Sequence, residues 1–284
     1  MTNMPNAAAD TFDRSCAHWS EDGRREMEHF YAVASVDYDY LAKARDWHQW
    51  LSDKAQAAGP RPLRLLDVAC GSGKFPVALN RHGGVTGDHL ADIEYALLDP
   101  SRFSINEARA ALQKPFVPAD EYEVTLQELD CPEDAFDIAW ATHALYAMAP
   151  GDLEEGLGRL IKACAGEIFI AHAFADGHYI QFQRLFLDGF ERGDETPYSS
   201  AEDLIRALDA IGARYEIAEL TYQNGAPAER RDVIEGYLQR CIFDDTVSLE
   251  AMEASDTLAP YLASCQKGGQ WEFTQHVAMI SINP

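Results

Sequence analysis

The stretch LRLLDVACGSGKFPVALN, residues 63–80, sets an acid, Asp67, and two glycines one residue apart, Gly71 and Gly73, between an apolar run and a helical pattern. Glycine at these places lets the main chain turn sharply and touch a ligand, because no Cβ stands in the way. Three ligand chemistries use such a turn beyond a first parallel strand: a dinucleotide, a nucleoside triphosphate and a sulfonium nucleoside. A dinucleotide fingerprint needs a third glycine for close helix–strand packing, and Pro76 stands in its place. A phosphate loop shares Gly73-Lys74, but it also needs glycine at 68 and serine or threonine at 75, where this chain has Val68 and Phe75. What is left is an acid, small residues and G-x-G, with a second acid, Asp99, closing the apolar run EYALLD about 26 residues further on.

DVACGSG, Asp67 to Gly73, followed by Asp99 at the end of the next strand, resembles the first motifs of the class I S-adenosylmethionine-dependent methyltransferases. The resemblance implies S-adenosylmethionine as cofactor. Its methionyl end would lie against the backbone at Ala69, Gly71 and Gly73, its ammonium on Asp67, and its ribose diol on Asp99, next to Pro100. A charged carboxylate strengthens the hydrogen bonds it accepts from such hydroxyls. A third landmark, LQELDCPEDAFDIAWATHALYAM at 126–148, resembles the adenine-contacting loop and fourth motif of the family. It implies Gln127 or Glu128 at the adenine amino group. Thr142 and His143 then fall at a strand edge where ligands of open α/β sheets bind.

From about residue 25 onward the order of segments resembles the histamine N-methyltransferase-like small-molecule methyltransferases. The matching pieces are the aromatic helical N-terminus, LLDPS at 97–101, HALYAM at 143–148, YSSAEDLIRALDAIGARYE at 198–216, and a last strand after Lys267-Gly268-Gly269. That likeness implies an amine surrounded by an N-terminal acid, Asp37 or Asp39, by His143 after the fourth strand, and by a C-terminal amide, Gln275. Tyr38, Tyr146, His178, Phe182 and Tyr198 complete the expected acceptor pocket, with His178 and Phe182 standing where the family has larger aromatics. His143 takes the place of an amide, which argues against histamine itself, since an imidazole titrates and presents different donors.

Asp37, His143 and Tyr146 are the expected catalytic residues. An amine attacks as the neutral base, so a carboxylate or imidazole must orient it and accept its proton. The expected reaction is methyl transfer to a compact polar amine or amino-acid-like acceptor. Two alternatives keep the cofactor: methylation of a thioether such as methionine, and cyclisation of S-adenosylmethionine with release of methylthioadenosine. A non-catalytic S-adenosylmethionine-binding subunit is a further alternative. The nine histidines form no HExxH and no paired ligand spacing, so no metal is expected.

Positioning these groups requires a sheet. Apolar patterning predicts strands at 63–69, 94–98, 121–126, 136–141, 167–173, 214–222 and 271–282. Helices are predicted at 74–82, 101–113, 152–164, 179–190 and 200–211, with a helical stretch between 228 and 265. This alternation predicts an α/β, Rossmann-like, seven-stranded doubly wound sheet, mostly parallel, whose last strand enters antiparallel beside 214–222. Residues 14–57 carry helical spacing, with Phe30, Val33, Tyr40, Trp47, Trp50 and Leu51 as expected buried positions, until Gly59-Pro60-Arg61-Pro62 breaks the helix. The expected organisation is a helical N-terminal segment or lid at 1–57, frayed over 1–10, then a methyltransferase domain at 58–284 with helical cap insertions near 178–198 and 226–266.

With 284 residues, 47% of them hydrophobic, the chain can bury the core of one large domain. Its 47 acidic and 23 basic residues give a net charge of −24, which repels phosphate backbones and anionic membranes, so neither is an expected partner; a small-molecule substrate is what the resemblance implies. Apolar runs such as 168–175 fall short of the roughly 20 residues that span a bilayer. The N-terminus lacks a signal-peptide pattern, and six scattered cysteines without a CxxC pair fit reduced thiols, so a cytoplasmic enzyme is expected.

Overall fold

Leu63 and Leu65 on one face, with Leu66 and Val68 on the other, make the first strand apolar on both sides, as a central parallel strand covered by helices must be. A computed structural model describes residues 11–193 and 195–284; the fraying expected over 1–10 lies outside the described residues. The chain opens with α1 (Thr11–His18), α2 (Arg24–Lys43) and α3 (Trp47–Ala58). It then alternates: β1 (Leu63–Val68), α4 (Lys74–His82), β2 (Ile93–Leu98), α5 (Arg102–Ala111), β3 (Phe116–Tyr122), β4 (Ile138–Thr142), α6 (Leu153–Ala163), β5 (Ile168–Ala173), α7 (His178–Gly189), α8 (Ala201–Ala210) and β6 (Tyr215–Pro227). Helices α9 (Arg231–Ile242), α10 (Leu249–Ala254) and α11 (Ala259–Ser264) follow, and the short β7 (Gln266–Lys267) turns into β8 (Gln270–Ile282).

The strands lie in the order β3-β2-β1-β4-β5-β8-β6, with β7 paired to β8. β1 to β5 are mutually parallel where they pair, and β8 runs antiparallel to both β5 and β6. The last strand thus enters beside 215–227 as its antiparallel pattern implies. The third strand differs from expectation: it occupies 116–122 rather than 121–126. Pro118, Ala119 and Asp120 are exposed on this edge strand, so it carries no apolar alternation to mark it. Tyr40, expected to be buried, is 41% exposed and stacks on the buried Tyr222, whereas Val33, Trp47 and Leu51 are fully buried.

One face of the sheet packs on Trp47 and Leu51 of α3, Phe75 and Leu79 of α4, and Ile105 and Ala108 of α5. The other face packs on Leu157 and Leu160 of α6 and Leu204 and Leu208 of α8. A third core is built from α2, α7, α9, α10 and the start of β8. The strand order reverses direction of growth between β1 and β4, and there the connections part to leave a crevice at the carboxyl ends.

Helix α1 is strapped across that crevice. The Ser101 hydroxyl donates to the Trp19 carbonyl at 2.5 Å, Arg240 donates to the carbonyls of His18 and Gly23, Arg14 pairs with Glu195, and His18 Nε2 lies 2.9 Å from Asp245. Among the described residues no helix is long and apolar enough to cross a membrane.

Candidate active site

The crevice holds about 1020 Å³ of open space, floored by the turn that leaves β1. Asp67, Ala69, Cys70 and Gly71 line it, with Asp99, Pro100 and Ser101 beyond β2, Leu126 and Gln127 on one side, and Thr142 and His143 at the end of β4. Ala69, Gly71 and Gly73 all have left-handed φ, +49°, +51° and +67°. Gly73 caps α4 from behind the wall rather than lining it. A Cβ there would meet the Ala108 Cα at 3.1 Å and its carbonyl at 3.2 Å, so this glycine lets α5 pack against the turn.

The two acids at the strand ends are held differently. Asp99 Oδ1 accepts from the Ser101 amide at 2.8 Å and Oδ2 from the Gly71 amide at 3.1 Å, which fixes the carboxylate at the cleft wall with further lone pairs available. Burial raises it to about 6 despite these two donors. Asp67 accepts from the Tyr95 hydroxyl at 2.6 Å, and that oxygen in turn accepts from Trp140 Nε1 at 3.2 Å. Burial pushes Asp67 up to about 7. Both carboxylates therefore favour a cationic or hydroxyl-bearing ligand that supplies donors of its own.

A second chamber of about 630 Å³ shares Ser15, Trp19, Tyr38, His143, Ala144 and Ala147 with the first, so the two are contiguous. Its other walls include Phe30, Asp37, Tyr146, Tyr179, Tyr198 and Arg240. Asp37 is 1% exposed. It accepts from the Tyr179 hydroxyl and from Asn224 Nδ2 at 2.8 Å, and from Tyr222, all neutral donors. Burial outweighs them and raises its pKa to about 7. No ion pair reaches Asp37 among the described residues.

His143 sits just past β4 with φ of +53°, strained for a residue with a side chain, while its amide still donates to Ala171 O at 2.9 Å. Its Nδ1 lies 2.7 Å from the Tyr146 hydroxyl and its Nε2 3.4 Å from the Tyr222 hydroxyl. Burial and the neighbouring His172 depress it to about 3, so the imidazole is neutral at physiological pH.

Four acceptor-pocket candidates stand elsewhere. Asp39 faces away and lies 3.2 Å from His82 Nε2. His178 and Phe182 are buried in the third core, where His178 bonds the Tyr261 hydroxyl at 2.6 Å and stacks on Phe182 and Tyr237. Gln275 is fully buried behind the chamber, with its amide 3.5 Å from Asn224 Oδ1 and 3.4 Å from the Tyr237 hydroxyl. Of the adenine-side pair, Gln127 lines the cleft. Glu128 instead turns back onto the amide and hydroxyl of Thr125, closing a capping box at 126–128. Sequence patterning missed Tyr179, Tyr222 and Asn224 around Asp37, and Trp19 and Lys74 at the cleft; of these only Lys74, in the Gly73-Lys74 pair, offered a local signal.

Residues 36–216, more than half of the 284-residue chain, match the family described as methyltransferase domain. No curated protein matches the chain by sequence. Among solved structures, magnesium protoporphyrin IX methyltransferase of Synechocystis with bound S-adenosylhomocysteine superposes with a TM-score of 0.54 at 11% identity, covering 97% of this chain and all (100%) of that one. A Bacillus halodurans protein assigned to the methyltransferases gives 0.53 at 12% identity, covering 82% of this chain and 97% of its own. The YcgJ protein of Bacillus subtilis gives 0.50 at 15%, covering 83% and 98%. At such identities these likenesses speak for the fold, while the family match covers the strands and turns that build the cleft. The chain belongs to the methyltransferase-domain family, the class I S-adenosylmethionine-dependent methyltransferases.

Proposed function

We propose that this enzyme moves the methyl group of S-adenosylmethionine to a small acceptor carrying an amine, with an amino-acid-like acceptor favoured. The observation that carries the reading is Asp37, a buried carboxylate served only by neutral donors in a chamber walled by Trp19, Phe30, Tyr38, Tyr146, Tyr179 and Tyr198. A buried charge of this kind calls for a counter-charge, and a cationic amine brings one. Aromatic walls add cation–π attraction of about 0.5–2 kcal/mol. Tyr198 lines the same chamber, and its hydroxyl is buried without a hydrogen-bond partner among the described residues. A buried hydroxyl of this kind is a donor suited to a carboxylate at the far end of an amino acid.

The residues of the first cleft fit the cofactor. Asp99 presents lone pairs to a ribose diol, Asp67 to an ammonium, Gln127 an amide to an adenine edge, and Gly71 an open backbone to the methionyl chain. When bound, S-adenosylmethionine supplies a methyl group on a good thioether leaving group. The protein must then align the nucleophile and exclude water. Asp37, near 7, pairs with the incoming ammonium and takes its proton, which leaves the amine neutral for attack. His143 stays neutral and acts by orientation, its ring held through Tyr146 and Tyr222. All six cysteines are free thiols, which suits a reducing compartment such as the cytoplasm.

Mass spectrometry of the enzyme with methyl-labelled S-adenosylmethionine and a panel of amines, amino acids and thioethers tests the proposal. Label on an amine nitrogen, with stoichiometric S-adenosylhomocysteine, is the expected result. Label confined to a thioether, methylthioadenosine formed without an acceptor, or no turnover at all would each contradict it.

A further inference from the structure

Lys74 is the one cationic side chain among the described residues that line the cofactor cleft. It is the first residue of α4, directly after the Gly73 cap, so its side chain starts where the helix presents unpaired amides and positive dipole. Its ammonium sits 4.4 Å from the centroid of the Tyr31 ring. No ion pair reaches it among the described residues: Glu107, the acid that acts on it, is engaged by Arg24 at 3.0 Å. Tyr31 is itself buried, wedged between Trp19 and Phe30 with its hydroxyl over Gly71. The ring therefore holds the ammonium at the cleft wall and limits the rotamer freedom a lysine would otherwise lose on binding.

Resting on the cofactor reading above, we propose that Lys74 is the carboxylate-binding residue for the amino-acid end of S-adenosylmethionine. That end is zwitterionic, so it needs an anion and a cation from the protein. Asp67 supplies the first on the strand side of the turn, and Lys74 supplies the second on the helix side. The helix terminus favours the same negative group. Lys74 is thus a specificity residue that separates the full cofactor from analogues without a carboxylate, and its seat on Tyr31 links that selection to the N-terminal segment.

Isothermal titration of the full-length protein with S-adenosylhomocysteine and with its decarboxylated analogue, in which hydrogen replaces the carboxylate, tests this directly. Wild type is expected to prefer S-adenosylhomocysteine by about 10–100-fold, the range for a charge-assisted contact. In Lys74→Met that preference should collapse to within about threefold. It should collapse through weaker binding of S-adenosylhomocysteine alone, and Lys74→Arg should restore most of it. Lys74→Met retaining the wild-type preference, or weakening both ligands equally, would overturn the proposal while leaving the cofactor reading intact. Failure of wild type to bind either ligand would remove the cofactor reading and this proposal with it.

Discussion

Asp99→Ala is expected to weaken S-adenosylhomocysteine binding by about 10²–10⁴-fold, because hydrogen bonds to a charged group are worth about 1.5–3 kcal/mol each and a ribose diol makes two. The same carboxylate accepts the Gly71 and Ser101 amides, so its removal also loosens the glycine turn and leaves two donors to water. Asp99→Asn separates these effects: it preserves shape and one carbonyl, and should fall between the alanine variant and wild type. Isothermal titration reads the affinity, and thermal unfolding shows that the variants are folded. An alanine variant that binds within about threefold of wild type would contradict the assignment.

Asp37→Asn should lower kcat/KM for the amine acceptor by about 10²–10⁴-fold, the range for losing a proton acceptor, while leaving S-adenosylhomocysteine binding unchanged. It should also make the ligand-free protein more stable at pH 8. Burial raises Asp37 from its ordinary 3.8 to about 7. A carboxyl with a raised folded-state pKa contributes stability that is complete below 3.8 and is lost as pH rises through about 7. The asparagine never ionises, so its advantage over wild type is near zero below pH 3.8, grows by about 1.4 kcal/mol per pH unit above it, and levels off at a few kcal/mol once pH passes about 7.

Wild type alone hides this slope. Asp37, Asp67 and Asp99 release protons from the folded state at about 7, 7 and 6. Over the same window His143, His172 and His178, depressed to about 3, 4 and 3 when folded, lose theirs from the unfolded state near 6.5. The two sets oppose one another, and only the difference between wild type and variant isolates Asp37. A variant no more stable than wild type at pH 8, with unchanged turnover, would remove Asp37 from the acceptor site.

The cofactor half was legible because its determinants are local. A G-x-G turn must leave β1, α4 begins at Lys74 because Gly73 caps it, and Asp67 and Asp99 sit at strand ends whose apolar runs mark them. The acceptor half depends on how each helix is rotated about its axis, which spacing alone leaves open. Asp37 and Asp39 stand about 200° apart on α2, so one faces the chamber and the other meets His82. On α7, His178 and Phe182 share a face that turns into the third core, and their neighbour Tyr179 reaches the chamber instead. Asn224 meets Asp37 from 187 positions away, a contact that only the closed fold creates. β3 lacked a signal for a different reason: an exposed edge strand needs no apolar face.

A crystal structure of the complex with S-adenosylhomocysteine is the most direct measurement. The ribose hydroxyls are expected about 2.5–3.0 Å from the Asp99 carboxylate, with the homocysteine chain against the backbone at 69–71 beyond the carboxyl end of β1. A nucleoside bound outside this crevice, or a ribose more than about 4 Å from Asp99 with the carboxylate still engaged only by Gly71 and Ser101, would contradict it.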